Sequence, residues 1–192
     1  MVAIQTHFPR FTPEEYFAWA EQQDLRHEYI NGEVYAMTGG TINHSKIAAN
    51  FIGMLSVHLR GSSCEVLTSD GRVKIAESDD YVYPDLSVTC DDRDRNTKNF
   101  ISHPCLVVEV LSPSTEAYDR GGKFRRYSRS NSLCDYVLVS SDQMEIDLYH
   151  KNDQGEWSIF NYGAGDSIEL KSVRLAFSIE EVFRNIVFDV VS

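Results

Sequence analysis

Long apolar runs, surplus basic charge, paired cysteines and glycine–proline tracts are all scarce in this chain, and each scarcity excludes a class of protein. No stretch approaches the ~18 uninterrupted apolar residues of a membrane helix. The densest run, Cys105 to Leu111, is seven residues long and carries Glu109. The first residues, Met1 to His7, show no basic segment leading into an apolar run, so no secretory leader is expected. With 11 glycines and 5 prolines among 192 residues, collagen-like and low-complexity classes are out. The four cysteines, Cys64, Cys90, Cys105 and Cys134, lie far apart, with no C-x-x-C and no histidine at metal spacing. They read as small core hydrophobes in a reducing cytoplasm. Lys and Arg number 18 against 29 Asp and Glu, a formal charge of -11, which excludes a general nucleic-acid coat because such a field repels polyanions.

What is present suffices for a packed interior. Hydrophobic residues make up 42% of the chain, and a chain of this length forms one domain, 1–192, that buries roughly 70% of its unfolded surface. Thr12-Pro13-Glu14-Glu15 is a helix start, with a threonine cap, proline in the first turn and acids on the positive dipole end, and the helix should run to about Gln23. Asn31-Gly32 between short β-formers predicts a hairpin. Ile47, Phe51, Met54-Leu55 and Leu59 repeat at helical spacing over Asn43 to Arg60.

The period then falls to two. Cys64 to Thr68 and Arg72 to Ile75 predict a hairpin around Asp70-Gly71, followed by strands at Tyr81 to Thr89 and Cys105 to Leu111. A helix is predicted from Asp119 to Ser130, and strands at Tyr136 to Ser140, Glu145 to His150 and Trp157 to Tyr162. A last short helix, Ser178 to Asn185, opens with a capping box through Glu181. A strand–helix–strand unit around 105–140 within this order indicates an α/β (mixed α+β) sheet domain.

The informative residues are acids in apolar company. Glu109 interrupts Cys105-Leu106-Val107-Val108-Glu109-Val110-Leu111, a run that otherwise belongs inside a sheet, and burying an unpaired carboxylate costs several kcal/mol. In Tyr81-Val82-Tyr83-Pro84-Asp85-Leu86-Ser87-Val88, alternation puts Val82, Pro84, Leu86 and Val88 on one face, with Asp85 on the other. If the two strands are neighbours, both carboxylates converge, and a hard divalent cation is the usual resolution of their repulsion. Glu109 as an edge-strand charge or the partner of an arginine, and Asp85 as a turn residue after Pro84, are the plain alternatives. Nucleophile elbows and phosphate-binding glycine loops are absent. Residues 119–129 hold five bases and one acid, and helical spacing aligns Lys123 with Asp119 and Tyr127 on the sheet-facing side.

Taken in order, Pro84-Asp85, then Glu109-Val110-Leu111-Ser112-Pro113-Ser114-Thr115, then Asp119 with Lys123 and Tyr127, then Asp135-Tyr136-Val137-Leu138-Val139, resemble the Uma-type endonucleases of bacteria. These belong to the PD-(D/E)XK, restriction-endonuclease-like superfamily. Glu28 to Val34, Asn43-His44 and Phe177 to Phe183 fit the same pattern, so the resemblance spans about residues 11–185. It implies a central four-stranded mixed sheet flanked by helices, with a site at Asp85, Glu109 and Lys123. The superfamily lysine is expected two residues after the acid, where this chain has Leu111; the resemblance supplies it from the following helix, as Lys123. By the same resemblance Asp85 and Glu109 would hold Mg²⁺, with Mn²⁺ as a substitute, and Lys123 would orient the attacking water. Glu28 and His44 would lie near the site without an assigned role. DNA would be met through the basic helix 119–129, and a homodimer is expected by analogy with nucleases that cut two strands. Two other readings stand beside this one: a degenerate module of the same fold that binds nucleic acid or a protein, and a small-molecule hydrolase using Asp85 and Glu109 as an acid–base pair.

Overall fold

The structure is a computed structural model, and it describes residues 3–5, 10–37, 39–75, 78–113 and 115–188. Ser114 and most of the first nine residues lie outside them. Two sheets carry the fold. The larger has six strands in the order β11-β10-β9-β8-β7-β4: β4 (Glu65–Thr68), β7 (Leu86–Thr89), β8 (Pro104–Leu111), β9 (Asp135–Ser140), β10 (Ile146–Lys151) and β11 (Trp157–Tyr162). Only β8 and β9 run parallel, and the chain between them is helical, as the strand–helix–strand reading requires. The sheet exceeds the expected four strands because β4 adds beyond β7 and β11 beyond β10. The smaller sheet, in the order β1-β3-β2-β6-β5, comprises β1 (Ala3–Gln5), β2 (His27–Ile30), β3 (Glu33–Met37), β5 (Val73–Lys74) and β6 (Tyr81–Val82).

Strand alternation assigns the large sheet's two faces. Leu106, Val108 and Val110 of β8 pack with Ile47, Phe51 and Leu55 of α2 (Ile42–His58), all nearly or fully buried; each such side chain contributes roughly 1.5–3 kcal/mol. A C-terminal hairpin, β12 (Ser167–Leu170) with β13 (Leu175–Ser178), closes the same core with α5 (Ile179–Val182). On the opposite face Val107 and Leu111 join Tyr136, Leu138 and Tyr127 against Ile30, Ile75 and Val82. Glu109 alternates with Val108 and Val110 and so shares this second face. The small sheet leans over it, backed by α1 (Pro13–Ala20), whose Thr12 cap and Glu15 form a complete capping box. The Asn31-Gly32 turn takes positive φ at both residues, as the hairpin signal demands.

Several expectations need correction. Cys64 and Cys90 form a disulfide, while Cys105 and Cys134 are free. The reason is register: Glu65 pairs with Thr89 in the β4–β7 ladder, so the residues just outside that pair face each other. The segments around Asp70-Gly71 do turn, with Gly71 N–H donating to the Thr68 carbonyl, but β4 and β5 join different sheets instead of pairing. Tyr81 to Thr89 is two strands, because Pro84 removes a ladder donor and the chain crosses between sheets at Tyr83-Pro84-Asp85. Val82 therefore packs in the second core and not with Leu86 and Val88. The helix after β8 is α3 (Glu116–Tyr118), a π turn over Asp119–Lys123, and α4 (Phe124–Tyr127). The final helix keeps its Ser178–Glu181 box but spans one turn.

Candidate active site

In the β7–β8 ladder Leu86 pairs with Val108 and Ser87 with Val107, so one step back Asp85 falls opposite Glu109 on the face beneath the small sheet. Asp85 anchors itself: its Oδ2 accepts from the Val110 N–H at 2.7 Å and lies 3.1 Å from His44 Nε2. The Thr41 cap receives the His44 N–H, which sets that ring in the first turn of α2. Gly40 keeps the seat open, since a Cβ there would come within 2.6 Å of the imidazole.

Lys123 arrives from the π turn. Its Nζ is 2.6 Å from Glu109 Oε1, 3.6 Å from Glu28 Oε1 and 3.8 Å from Asp119 Oδ1. Glu28 stands on β2, where it accepts from the Tyr83 N–H. Tyr136 Oη donates to the Asp119 carbonyl and pins the π turn to β9. Such wide turns recur at functional sites because they re-aim side chains that an α-helix would space otherwise.

Glu28, Asp85, Glu109, Asp119 and Lys123 are all at most 5% exposed, so charge here is weakly screened. Burial pushes the Glu109 carboxyl well above the usual range, against the pull of Lys123. Burial also raises Asp119. Asp85 is the exception: burial would raise it, but His44, the Val110 N–H and Lys123 together hold it below the ordinary value. Burial alone would lower Lys123, yet Glu109, Glu28 and Asp119 outweigh it and keep the ammonium charged.

Four carboxyl groups thus face one ammonium, and buried polar atoms nearby are left without hydrogen bonds: Glu109 Oε1, His44 Nε2, Tyr127 Oη and Ser87 Oγ. Glu109 Oε1 and His44 Nε2 have charged neighbours, though not in hydrogen-bonding alignment. A surplus of hard oxygen donors with unmet capacity suits a hard cation. Among the described residues no three His, Cys, Asp or Glu side chains are grouped as ligands, but Mg²⁺ needs only one or two carboxylates, with water for the remainder. Asp85 and Glu109 fit that requirement.

These groups lie at the base of a cleft of about 530 Å³. Ile30, Glu33 and Tyr35 of the β2–β3 hairpin form one wall, and Thr115, Tyr118 and Arg126 the other.

The structure brings together Asp85, Glu109 and Lys123, and with them Glu28 and His44. Asp119 and Tyr118 complete the surroundings; the signal for Asp119 is its place four residues before Lys123. The cations of the 119–129 segment are mostly engaged within the protein: Arg120 with Glu116 and Asp147, Arg126 with Asp80, and Lys123 in the site. Arg125 and Arg129 are exposed and have no ion pair among the described residues.

Residues 13–180 match the model of the Uma2 family, described as "Putative restriction endonuclease". An uncharacterized protein of Synechocystis sp., slr1290, is 54% identical over 181 residues, covering 94% of this chain and 95% of that protein. A second from the same organism, sll1609, is 30% identical over 148 residues, covering 76% and 84%. The fold is that of a crystal structure from Anabaena variabilis described as "a putative nuclease belonging to DUF820", with a TM-score of 0.73 at 18% identity, covering 90% of this chain and 97% of that one. No helix among the described residues is long and apolar enough to cross a membrane. By the extent of the family match and the identity of these relatives, the chain belongs to the Uma2 family.

Proposed function

We propose that this protein is a metal-dependent endonuclease that hydrolyses DNA phosphodiester bonds at Asp85, Glu109 and Lys123. The observation that carries the reading is the meeting of these three side chains, from the residue just before β7, from β8 and from the π turn, at the base of one cleft with carboxylates in excess. Asp85 and Glu109 would hold the cation, Mg²⁺ or in its place Mn²⁺. When bound, such an ion polarises the phosphoryl oxygens and offsets the charge that develops on them.

The remaining roles belong to the chain. Lys123, kept charged by Glu109, Glu28 and Asp119, is a donor and not a base; it orients the attacking water and stabilises negative charge on the phosphate. Glu28 and Asp119 position that ammonium, while His44 and the Val110 N–H fix the Asp85 carboxylate. Leu111, at the usual lysine place, lies in the apolar core beside Tyr136 and Leu138. Arg125 and Arg129 are the cations of the basic segment left to meet flanking phosphates. The cytoplasm, where DNA is met, is the proposed place of action, although a Cys64–Cys90 disulfide is the rarer state of cysteines in that reducing compartment. By analogy with other nucleases a symmetric dimer is the proposed assembly, which sedimentation velocity tests.

The experiment is cleavage of plasmid and oligonucleotide DNA with Mg²⁺ or Mn²⁺, repeated with Asp85→Ala and Lys123→Ala. Activity in the parent protein alone supports the reading, and inertness on every substrate with both ions overturns it. The three tyrosines of the cleft lining, Tyr35, Tyr83 and Tyr118, favour one second reading, a small-molecule hydrolase; hydrolysis of a small ester that survives a chelator would select it.

A further inference from the structure

The carboxylates of the site are hard to reach, and that restricts the form of the substrate. Asp85, Glu109 and Lys123 are 3–5% exposed and sit beneath walls contributed by both sheets and the helical segment. The cleft's 530 Å³ or so falls within the roughly 300–1,000 Å³ of sites that enclose a single small ligand. A duplex is a stiff rod whose width holds its backbone at the rim of such a cleft, whereas a flexible single strand can bend in towards carboxylates that are only 3–4% exposed.

The lining is also built for a base. Tyr35, Tyr83 and Tyr118 contribute rings, and Tyr118 keeps 37% of its surface exposed although it belongs to the wall. Gly122, one turn on, has no side chain because a Cβ there would stand 2.9 Å from Cδ2 and Cε2 of the Tyr118 ring. The Tyr118 phenol, pushed up to about 12 by burial and then by the charge of Glu28, is neutral at physiological pH, as an unshifted tyrosine would also be. Stacking on a neutral ring tolerates any base sequence.

Charge argues the same way. Binding a duplex with weak base contacts relies on many phosphate contacts at once, yet Arg120 and Arg126 are committed to Asp147, Glu116 and Asp80, which leaves Arg125 and Arg129 as the unpaired cations of the basic segment among the described residues, and the chain carries -11. Arg10 lines the cleft with its side chain 78% exposed and 3.5 Å from Glu33, so it adds a single partly engaged cation there.

We propose that the cleft admits single-stranded DNA, one nucleotide deep with its base against Tyr118, and excludes an intact duplex; this rests on the nuclease reading of the same site. The test offers labelled DNA as a single strand, a blunt duplex and a duplex with a single-stranded tail, each with Mn²⁺, beside a chromogenic phosphodiester. Extruding a nucleotide from a duplex slows its reaction, so the single strand and the tail should be cut at least about tenfold faster than the blunt duplex. Tyr118→Ala should weaken single-strand binding about 5- to 100-fold, the equivalent of one lost stacking contact, and Tyr118→Phe should retain it. A blunt duplex cut as fast as the single strand overturns the inference and leaves the nuclease reading standing. Turnover of the small diester alone overturns the inference in favour of a small substrate. No turnover of any substrate overturns the nuclease reading, and the inference with it.

Discussion

Replacing Lys123 with methionine keeps most of the side-chain volume and removes the charge. The lysine is 5% exposed, with carboxylate oxygens at 2.6, 3.6 and 3.8 Å. Removing one member of a buried ion pair strands its partner and costs about 3–5 kcal/mol. For a domain of this size that is a fall in Tm of roughly 6–20 °C. The cost should also depend on pH. Burial already holds Glu109 well above its unfolded range, and losing its cation raises it further. A group whose folded pKa exceeds its unfolded value stabilises below the unfolded pKa, and that stability is lost as pH rises through the folded pKa. Lys123→Met should therefore be more destabilising at about pH 8 than at about pH 5, since acidification favours the neutral form of the stranded Glu109 carboxyl. Adding Glu109→Gln removes both charges and should return much of the loss, since a buried pair replaced by neutral groups of similar volume is often nearly neutral. Urea unfolding followed by the fluorescence of Trp19 and Trp157 measures all three proteins. A loss under about 1 kcal/mol for Lys123→Met, or one that is equal at both pH values, would refute the electrostatic account of the site.

The disulfide is checked by counting thiols: the unfolded chain should titrate two without reductant, Cys105 and Cys134, and four after reduction. Four before reduction would show Cys64 and Cys90 unbonded, and reduction itself should cost about 2–4 kcal/mol of stability. In the folded protein Cys105, pushed up to about 12 by burial, should react with alkylating reagents far more slowly than in the unfolded chain. The two glycines of the π turn should respond in opposite directions. Gly121→Ala meets nothing within 4 Å and should stabilise by about 0.5–1 kcal/mol, whereas Gly122→Ala runs into the Tyr118 ring and should destabilise by about 1–2 kcal/mol. Equal effects in thermal melts would mean that the ring is not seated on Gly122.

Asp85 and Glu109 are legible in the sequence because a carboxylate inside an apolar run is anomalous on its own, and period-two alternation then assigns its face. Lys123 is legible through its four-residue spacing to Asp119 and Tyr127, although the π turn that aims it leaves no periodic trace. Glu28 and His44 carry no local signal of this kind; the β2–β6 pairing and the Thr41 cap bring them in from elements distant in sequence. The Cys64–Cys90 bond depends in the same way on the β4–β7 register, which spacing along the chain does not encode. Asp70-Gly71 shows a limit of turn chemistry: the same dipeptide turns the chain whether the flanking strands pair or part. The β12–β13 hairpin escapes notice because its turn, Lys171 to Arg174, contains no glycine or asparagine, and Arg174 itself takes φ +54.

The central claim is that the buried acidic cluster is a cation-dependent phosphodiesterase centre. Anomalous diffraction from crystals grown with Mn²⁺ tests it most directly. The account predicts a manganese peak bounded by the Asp85 and Glu109 carboxylates with Lys123 beside it, lost in Asp85→Asn. Saturating Mn²⁺ with no peak at those carboxylates would contradict it.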